Sequence, residues 1–360
     1  MSETLPLSVV VSARDSGSTL REALVAIRAS RLPRDSYEII VVDDASSDGS
    51  VAIAARYADT VVKLTGRLCG PAYARNRGVE LARGQIVAFV DGDVVVRSDT
   101  LSRMLATFGD RPDIAAVSAS HDEQSGSINF VSRYWNVLLR FGEERHAGDR
   151  AHFVPGCGMV RRQVFLAAGM YDEWRFPTGC LESAELGDRL RNTGHGVLLS
   201  SELKVAHLKR WNLVSVCREV WRRSRILARS LGYQRMSATV PSEVVFSLTR
   251  TLTPAVALLG TLSLAAAFVP PPQGVAKGGI VLAVLILSNL SVHRFYARTC
   301  GLAFAVASAP LHLFAQTVAA VALCTGWILR DVLGDATPDA TTQAYSEVGL
   351  ETWPPVRRRV

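Results

Sequence analysis

The sequence predicts an α/β protein: a mostly parallel sheet flanked by helices, followed by a C-terminal helical transmembrane region. Two observations carry this prediction. Apolar runs before residue 240 have the length of a strand, whereas uncharged runs after residue 250 approach the length of a membrane span. Strands buried on both faces of a parallel sheet read as continuous runs of β-branched residues. A helix that crosses a bilayer core needs about 20 apolar residues.

Three buried strands are predicted in the first hundred residues, at 7–11, 37–42 and 86–90. Each is an unbroken or nearly unbroken apolar run, and each ends in polar side chains. The polar residues after these strands are Ser12, Arg14, Asp15, Ser16, Asp43, Asp44, Asp91 and Asp93. Ligands of open α/β sheets bind beyond the carboxyl ends of the strands. These side chains are therefore expected to line one crevice.

A helix around 51–57 follows the second strand, and its N-terminus is expected at the same crevice. Ser46 or Ser47 is predicted to cap this helix, since serine hydroxyls accept hydrogen bonds from the first free backbone N–H groups. The positive end of the helix dipole would then lie beside the acidic residues.

The segment Asp91-Gly92-Asp93 predicts a metal site at the end of the third strand. Two carboxylates one residue apart can hold a hard divalent cation through oxygen atoms, and such cations commonly also bind phosphate oxygens. Gly92 permits the tight turn that brings the two side chains together. A polar turn without a ligand gives the same short pattern, so the neighbouring motifs decide between the two readings.

Four motifs occur in order and at suitable spacings: VVVSARD at 9–15, VVDDASSDG at 41–49, GPAYARNRG at 70–78 and VDGD at 90–93. Together they resemble a family 2 inverting glycosyltransferase with the nucleotide-sugar-binding fold called GT-A. The resemblance covers roughly residues 5 to 215.

The resemblance implies a binding site for a nucleotide-sugar donor. Asp43 would accept from the base, Asp44 would support the ribose side, and Arg75 would lie near the base and phosphates. Asp91 and Asp93 would hold Mg²⁺ or Mn²⁺ on the diphosphate, where the metal neutralises the leaving group. The implied donor-binding residues are Ser12, Arg14, Asp43, Asp44, Arg75, Asp91 and Gly92.

The general base is expected in the segment that begins at Glu182. Family members usually carry Glu-Asp before an acidic-Leu pair here, whereas this chain has Ser183 in place of the Asp. Serine cannot act as a base at neutral pH without a partner that takes its proton. Glu182 is therefore the candidate, with Glu185 and Asp172 behind it. A first helical turn with favourable dipole placement is the alternative interpretation of the two glutamates.

Two further segments resemble acceptor-side features of the family. A glycine-hinged loop at 153–162, with Gly156 and Gly158, is predicted to lead into a helix. The segment HLKRW at 207–211 overlays a Q-x-x-R-W signature, which adds Arg210 and Trp211 to the acceptor side. His207 occupies the glutamine position and is a candidate third metal ligand. A packing role for His207, and an interface role for Trp211, remain open.

Three uncharged stretches, at 251–270, 278–292 and 301–329, predict membrane spans, and the second is short. The mean hydropathy of +0.18 agrees with an apolar C-terminal region. No signal sequence is visible before the first strand. Arginines concentrated before the first stretch predict a multi-pass cell-membrane protein with a cytoplasmic catalytic domain. Three spans would leave the C-terminal arginines outside, and a fourth crossing around Pro310 would remove that conflict.

The predicted organisation is a catalytic domain at 1–212, a basic amphipathic interfacial helix at 213–240, membrane helices at 241–330 and a disordered tail at 331–360. The interfacial helix would contact anionic membrane lipids. The net charge of +7 needs no nucleic acid to explain it, because the basic residues cluster before the membrane segments.

The function predicted from the sequence is metal-dependent sugar transfer with inversion. The donor would be a UDP- or GDP-sugar, and the acceptor a lipid-linked or membrane-near molecule. Two alternatives remain open. One is a processive polysaccharide synthase, which His207 disfavours. The other is a degenerate, non-catalytic nucleotide-sugar-binding member, for which Ser183 is the main argument.

Overall fold

The computed structural model describes residues 4–65, 69–122, 129–148, 153–154, 156–176, 179, 181–230, 287–333 and 349–353. The chain divides into two compact units. Unit 1 comprises Met1–Ser127, Glu143–Lys209 and Ala336–Val360, and unit 2 comprises Ile128–Gly142 and Arg210–Asp335. The predicted domain at 1–212 therefore differs from unit 1 in two places: residues 128–142 belong to unit 2, and the chain after residue 335 returns to unit 1.

Unit 1 is built on a sheet of nine strands. They are β1 Leu5–Ala13, β2 Tyr37–Asp44, β3 Thr60–Thr65, β4 Gly84–Asp91, β5 Val94–Val96, β6 Ile114–His121, β7 Cys157–Arg161, β8 Gly196–His207 and β9 Gly349–Trp353. Their spatial order is β5-β8-β6-β7-β4-β1-β2-β3-β9. The three strands predicted from the sequence are β1, β2 and β4, which lie side by side with β1 in the middle.

The sheet is mixed, which corrects the prediction of a mostly parallel sheet. The neighbours β1/β2, β1/β4, β2/β3 and β6/β8 are parallel. The neighbours β4/β7, β6/β7, β5/β8 and β3/β9 are antiparallel. Strand β7 accounts for two of these, and the sequence analysis places its residues in a loop. Strand β7 is buried between β4 and β6. Gly158 packs closely within it, because a Cβ at this position would lie 2.6 Å from the Phe153 ring.

Helices cover both faces of this sheet. In unit 1 they are α1 Leu20–Arg28, α2 Ser50–Tyr57, α3 Pro71–Leu81, α4 Thr100–Asp110, α6 Arg162–Ala167 and α7 Glu182–Asn192. Alternate residues of a strand face opposite sides, so Val9 and Val11 pack in one apolar core while Val10 packs in the other. Helix α3 approaches the sheet closely, because a Cβ at Gly78 would lie 2.3 Å from Val10 Cγ1.

The described part of unit 2 is helical. Its elements are α8 Leu213–Ser230, α9 Leu290–Cys300, α10 Leu302–Leu333 and most of α5 Phe130–Arg145, whose last turn belongs to unit 1. Aromatic residues including Tyr134, Trp135 and Tyr296 form its core. Helices α8 and α10 cross at Gly326, where a Cβ would lie 2.9 Å from Ala228 Cβ.

Helix α10 is the one helix of the described residues that is long and apolar enough to cross a membrane, over Leu302–Gly326. It continues through Pro310, so the suggested fourth crossing around Pro310 is wrong. The predicted span at 251–270 and most of the one at 278–292 lie outside the described residues. Of the several membrane helices predicted from the sequence, the described residues therefore contain one candidate, in α10.

The prediction of a disordered tail at 331–360 is wrong for Gly349–Trp353, because strand β9 pairs antiparallel with β3. Helix α10 also extends to Leu333. The sequence gives little indication of this strand, because only one of its five residues is β-branched. Pairing with the edge of β3 supplies the backbone hydrogen bonds that make the strand stable.

Candidate functional site

The loops after β1 and β2 are tied together at the carboxyl ends of β1, β2 and β4, which we call the carboxyl edge. Asp15 N–H donates to Ser46 Oγ (2.9 Å), and Ser47 N–H donates to Asp15 Oδ1 (2.9 Å). Asp15 and Ala45 adopt φ values of 43° and 54°, in the left-handed region. The two serines thus join the loops and do not cap α2, which begins after Gly49 without a side-chain cap.

Asp43 is fully buried at the end of β2. Its Oδ2 accepts from Ser46 N–H at 3.0 Å, while its Oδ1 has no hydrogen-bond partner among the described residues. Burial raises the pKa of Asp43 above its usual value. A buried acceptor without a donor is costly, and the cost is removed when a ligand N–H occupies the position.

Asp44 is engaged by the protein itself. Its Oδ1 accepts from Cys69 N–H at 2.9 Å, and its Oδ2 accepts from Gly70 N–H at 2.8 Å. Gly70 has φ 85° and immediately precedes α3. Asp44 therefore anchors the entry to α3, and its predicted contact with a ribose stays a prediction.

Ser12 and Arg14 are the remaining residues of β1 and its loop that were predicted to bind the nucleotide-sugar donor, and their surroundings differ. Ser12 contributes its carbonyl oxygen, which accepts from Gly92 N–H at 3.3 Å and holds the turn after β4 against β1. The Arg14 side chain is about half exposed and lies 3.9 Å from Asp15.

Arg75, on the second turn of α3, bridges two carboxylates. One guanidinium nitrogen lies 2.7 Å from Asp91 Oδ1, and the other lies 2.9 Å from Glu182 Oε1. Burial alone would lower the pKa of Arg75, but the charges of Asp91 and Glu182 raise it. Burial raises the pKa of Asp91, and Arg75 opposes that shift. Removing one partner of a buried ion pair typically costs about 3–5 kcal/mol, so these three side chains are mutually dependent.

Glu182 is the first residue of α7 and is buried. Its Oε2 has no hydrogen-bond partner among the described residues. The other two candidate bases are engaged elsewhere: Glu185 pairs with Arg189 at 2.6 Å, and Asp172 Oδ1 accepts from Arg175 N–H at 3.0 Å. Ser183, at the position where the resembling family has Asp, is also buried. Of the three candidate carboxylates, Glu182 is the one that is buried with an oxygen lacking a hydrogen-bond partner among the described residues.

Asp93 and His207 meet because of strand register. Val94 pairs with His207 in the β5/β8 ladder, and Leu208 N–H donates to the Asp93 carbonyl at 2.8 Å. His207 Nε2 then lies 3.4 Å from Asp93 Oδ2. Burial alone would raise the pKa of Asp93, but His207 and Lys209 lower it to about 2. Asp93 is therefore an anion throughout the physiological range.

The chemistry of these donors fits a divalent cation that arrives with a phosphate ligand. Within the described residues, no group of three or more His, Cys, Asp or Glu side chains is placed to hold a metal ion. Asp91 is occupied by Arg75, which leaves Asp93 and His207 as two adjacent donors. Cations at phosphate sites are commonly held by one or two carboxylates and completed by substrate oxygens and water. The predicted set of Asp91, Asp93 and His207 stays a prediction.

His121 and Glu143 were not found by the sequence reasoning. His121 ends β6, and its ring lies 5.6 Å from the His207 ring, centroid to centroid, at 82°. Burial alone would lower the pKa of His121, but the Glu143 carboxylate raises it. The available signal was a histidine at the end of the apolar run 114–119. Glu143 had no signal, since it lies on a helix 22 residues further along the chain.

The predicted acceptor-side residues fall in both units. The Gly156 carbonyl accepts from Asp91 N–H at 3.2 Å, so this glycine adjoins the carboxyl edge. Gly158 lies within β7. In unit 2, Arg210 is exposed, whereas Trp211 is buried with its ring 5.2 Å from the Trp135 ring. Trp211 therefore has a packing role, and its contact with an acceptor is untested.

Residues 8–168 match the family profile described as Glycosyl transferase family 2. The match spans less than half of the chain and runs from β1 to α6. This part of the chain is similar to family 2 glycosyltransferases.

Two curated relatives illustrate the similarity. Glycosyltransferase AglE of Haloferax volcanii is 32% identical over 112 residues, which cover 30% of this chain and 37% of the relative. Succinoglycan biosynthesis protein ExoO of Rhizobium meliloti is 36% identical over 139 residues, which cover 38% of this chain and 37% of the relative. The matched part of the chain thus spans less than two fifths of the length of either relative.

The fold also resembles that of a solved enzyme, the mannosyltransferase PcManGT from Pyrobaculum calidifontis in complex with GDP-Man and Mn²⁺. The TM-score is 0.58 at 20% sequence identity, over 87% of this chain and 88% of that chain. At this identity the likeness shows the shared fold alone.

Proposed function

We propose that this protein is a metal-dependent glycosyltransferase that moves a sugar from a nucleotide-sugar donor to an acceptor with inversion at the anomeric carbon. The carrying observation is that Asp43 Oδ1 and Glu182 Oε2 are two of the three buried carboxylate oxygens without hydrogen-bond partners among the described residues, the third being Asp188 Oδ2. Both belong to unit 1. Folding leaves such groups unsatisfied at a cost of about 1–3 kcal/mol each, which is characteristic of positions that await a ligand.

Donor binding would use the two ends of the carboxyl edge. Asp43 Oδ1 would accept from an N–H of the nucleotide base. Asp93 and His207 would hold Mg²⁺ or Mn²⁺, which when bound supplies positive charge against the departing diphosphate. Asp91 would contribute the carboxylate oxygen that is not paired with Arg75, since Arg75 pairs with Oδ1. Arg75 would then be positioned to act on the phosphates.

Transfer would use Glu182 as the base. Its Oε2 is available to take the proton of the acceptor hydroxyl, while Oε1 stays fixed by Arg75 at 2.9 Å. A side chain held at one oxygen is oriented for proton transfer at the other, and such a base contributes about 10²–10⁴ to the rate. The acceptor must approach opposite the leaving group, which gives inversion.

A membrane-near acceptor is proposed from the outer face of α10. The exposed large apolar residues of this helix are Leu302, Val306, Phe314, Val321 and Ile328. They fall on one side of the helix, and the stretch Leu302–Gly326 suits a membrane span. An apolar face of this size is stabilised by lipid chains. We therefore propose a membrane-associated protein, with a lipid-linked or membrane-near acceptor and anionic lipids near its arginine-rich α8.

The test is release of nucleoside diphosphate by the purified full chain in detergent, across a panel of UDP- and GDP-sugars with Mn²⁺ or Mg²⁺. Asp93→Asn should lower turnover by at least about 10²-fold, because it removes one charge that holds the cation. Asp99→Asn is the matched control, since Asp99 is a surface residue that faces Arg103 and should leave turnover unchanged. Equal turnover for Asp93→Asn and wild type at a limiting Mn²⁺ concentration, in buffer freed of other metals, would exclude the metal assignment.

A second function, non-catalytic binding of a nucleotide sugar, is favoured by one observation. Ser183 is buried at the position where the resembling family carries a carboxylate. A wild-type chain that binds UDP or GDP but turns over no donor, and that gains activity with Ser183→Asp, would establish this second function. Turnover by the wild type establishes the first.

A further inference from the structure

The end of α5 and the end of β6 are joined by a pair of residues that the transfer reaction does not use directly. Glu143 Oε2 accepts from the backbone N–H of His121 at 2.7 Å, and Glu143 Oε1 lies 2.5 Å from His121 Nδ1. Both side chains are almost wholly buried. The carboxylate can only accept, so His121 Nδ1 carries the proton, and the ring is fixed in one tautomer and one orientation.

The fixed ring stands edge-on against His207. The two ring planes meet at 82° with their centroids 5.6 Å apart, and His207 Nε2 lies 3.4 Å from Asp93 Oδ2. A continuous series of contacts therefore runs from Glu143 through His121 and His207 to Asp93. A second tie holds the same region, since Lys204 Nζ donates to Ser120 Oγ at 2.9 Å.

We propose that Glu143 and His121 are positioning residues that hold the His207 ring in the orientation needed for a divalent cation at Asp93. The proposal rests on the proposed function, because it assumes that the cation binds there. Outer residues that orient a metal-binding histidine commonly change metal affinity by about 10–100-fold. The orientation of His207 matters here because, within the part of the chain that the structure describes, Asp93 and His207 are two donors that lie side by side.

The test measures Mn²⁺ binding to the full chain in detergent, in separate titrations with UDP and with GDP. Binding is read from the loss of the electron paramagnetic resonance signal of free Mn²⁺. Glu143→Gln and His121→Ala should each weaken Mn²⁺ binding by about 10-fold or more. The line shape of the bound ion should also change, which a loss of general stability would not produce.

Glu38→Gln is the matched control. Glu38 is likewise buried and accepts from a backbone N–H, that of Arg83 at 2.8 Å, and from Ser8 Oγ at 2.7 Å. Glu38 lies near the start of β2. It is therefore at the opposite end of the strand from the carboxyl edge. Its replacement should lower the melting temperature and leave Mn²⁺ affinity unchanged.

A His207→Ala background tests whether the pair acts through His207. Adding Glu143→Gln to His207→Ala should cause no further loss of Mn²⁺ affinity, because the ring that Glu143 orients is gone. An equal loss in both backgrounds, or an unchanged affinity of Glu143→Gln in the wild-type background, would overturn the proposal. If the wild type binds no Mn²⁺ with either nucleotide, the metal part of the proposed function fails and the proposal fails with it.

Discussion

Asp43, which we propose as a binding residue, illustrates how such a residue costs stability. The folded protein raises the pKa of this carboxyl above 3.8 by burial, so the folded state holds the proton more readily than the unfolded chain does. Stability therefore falls as pH rises through the raised pKa. The buried charge is retained where a ligand uses it, which is the pattern of a functional site.

Asp43→Asn should consequently raise thermal stability at neutral pH and weaken nucleotide binding. The gain in stability should vanish below about pH 3.8, where Asp43 is protonated in both states. The amide would place a donor against the base N–H, which should cost about 1–3 kcal/mol of UDP or GDP binding. Melting curves against pH and calorimetry with the nucleotide measure the two effects. An unchanged affinity would place the base elsewhere.

The sequence predicted the candidate site unevenly. Arg75, Asp91 and Glu182, named separately from their motifs, form one connected set, and Asp93 lies 3.4 Å from His207. The metal role of Asp93 and His207 stays a prediction. Motif position could find these residues because each follows a strand or begins a helix. It could not find Glu143, which reaches the site from the end of a long helix. Nor could it show that Asp44 is bonded to the entry of α3.

At the scale of elements, close packing decides which substitutions the fold tolerates. A Cβ at Gly78 would lie 2.3 Å from Val10 Cγ1, whereas nothing lies within 4 Å of a Cβ at Gly109. Both glycines are in helices, where alanine is favoured over glycine by about 0.8–1.0 kcal/mol. The two sites therefore separate helix propensity from packing.

Gly78→Ala should destabilise the protein, by about 1–3 kcal/mol for overpacking, while Gly109→Ala should be neutral or stabilising. The two variants share the same chemical change, so opposite signs in a thermal unfolding measurement isolate the contact between α3 and β1. Stabilisation by Gly78→Ala would show that α3 does not pack on the sheet as closely as described.

Elements were predicted best where the pattern was continuous. Strands β1, β2 and β4 are buried runs, and the sequence located all three. Strand β7 was missed because Gly156 and Gly158 were interpreted as a hinge. Gly158 lies within the strand, and its lack of a Cβ lets the Phe153 ring approach. Strand β9 was missed because its pairing partner lies almost 290 residues earlier in the chain, and no local pattern encodes such a contact.

For the whole molecule, strand β9 restricts how the chain can cross a membrane. It belongs to the same sheet as β1 to β8, so residues 349–353 lie on the same side of any membrane as the rest of that sheet. The number of crossings between β8 and β9 must then be even, since both strands belong to this sheet. The three spans predicted from the sequence are odd in number and conflict with this requirement.

A protein that spans the membrane should be extracted by detergent but not by about 1 M salt, since salt at that concentration only screens charges beyond about 3 Å. We also expect the N-terminus and the C-terminus on the same side of the membrane. Reporter enzymes active on only one side, fused at each end, measure this directly. Reporters on opposite sides would show an odd number of crossings and would exclude β9 as a strand of the same sheet as β1 to β8.

The most direct test of the account is the turnover of Glu182→Gln, measured beside its affinity for the nucleoside diphosphate. Glutamine keeps the shape of the side chain and one acceptor for Arg75, but it cannot take a proton. We predict a loss of turnover of about 10²–10⁴-fold with nucleotide affinity almost unchanged, and no comparable loss for Glu185→Gln, whose residue is paired with Arg189. Wild-type turnover by Glu182→Gln would contradict the account.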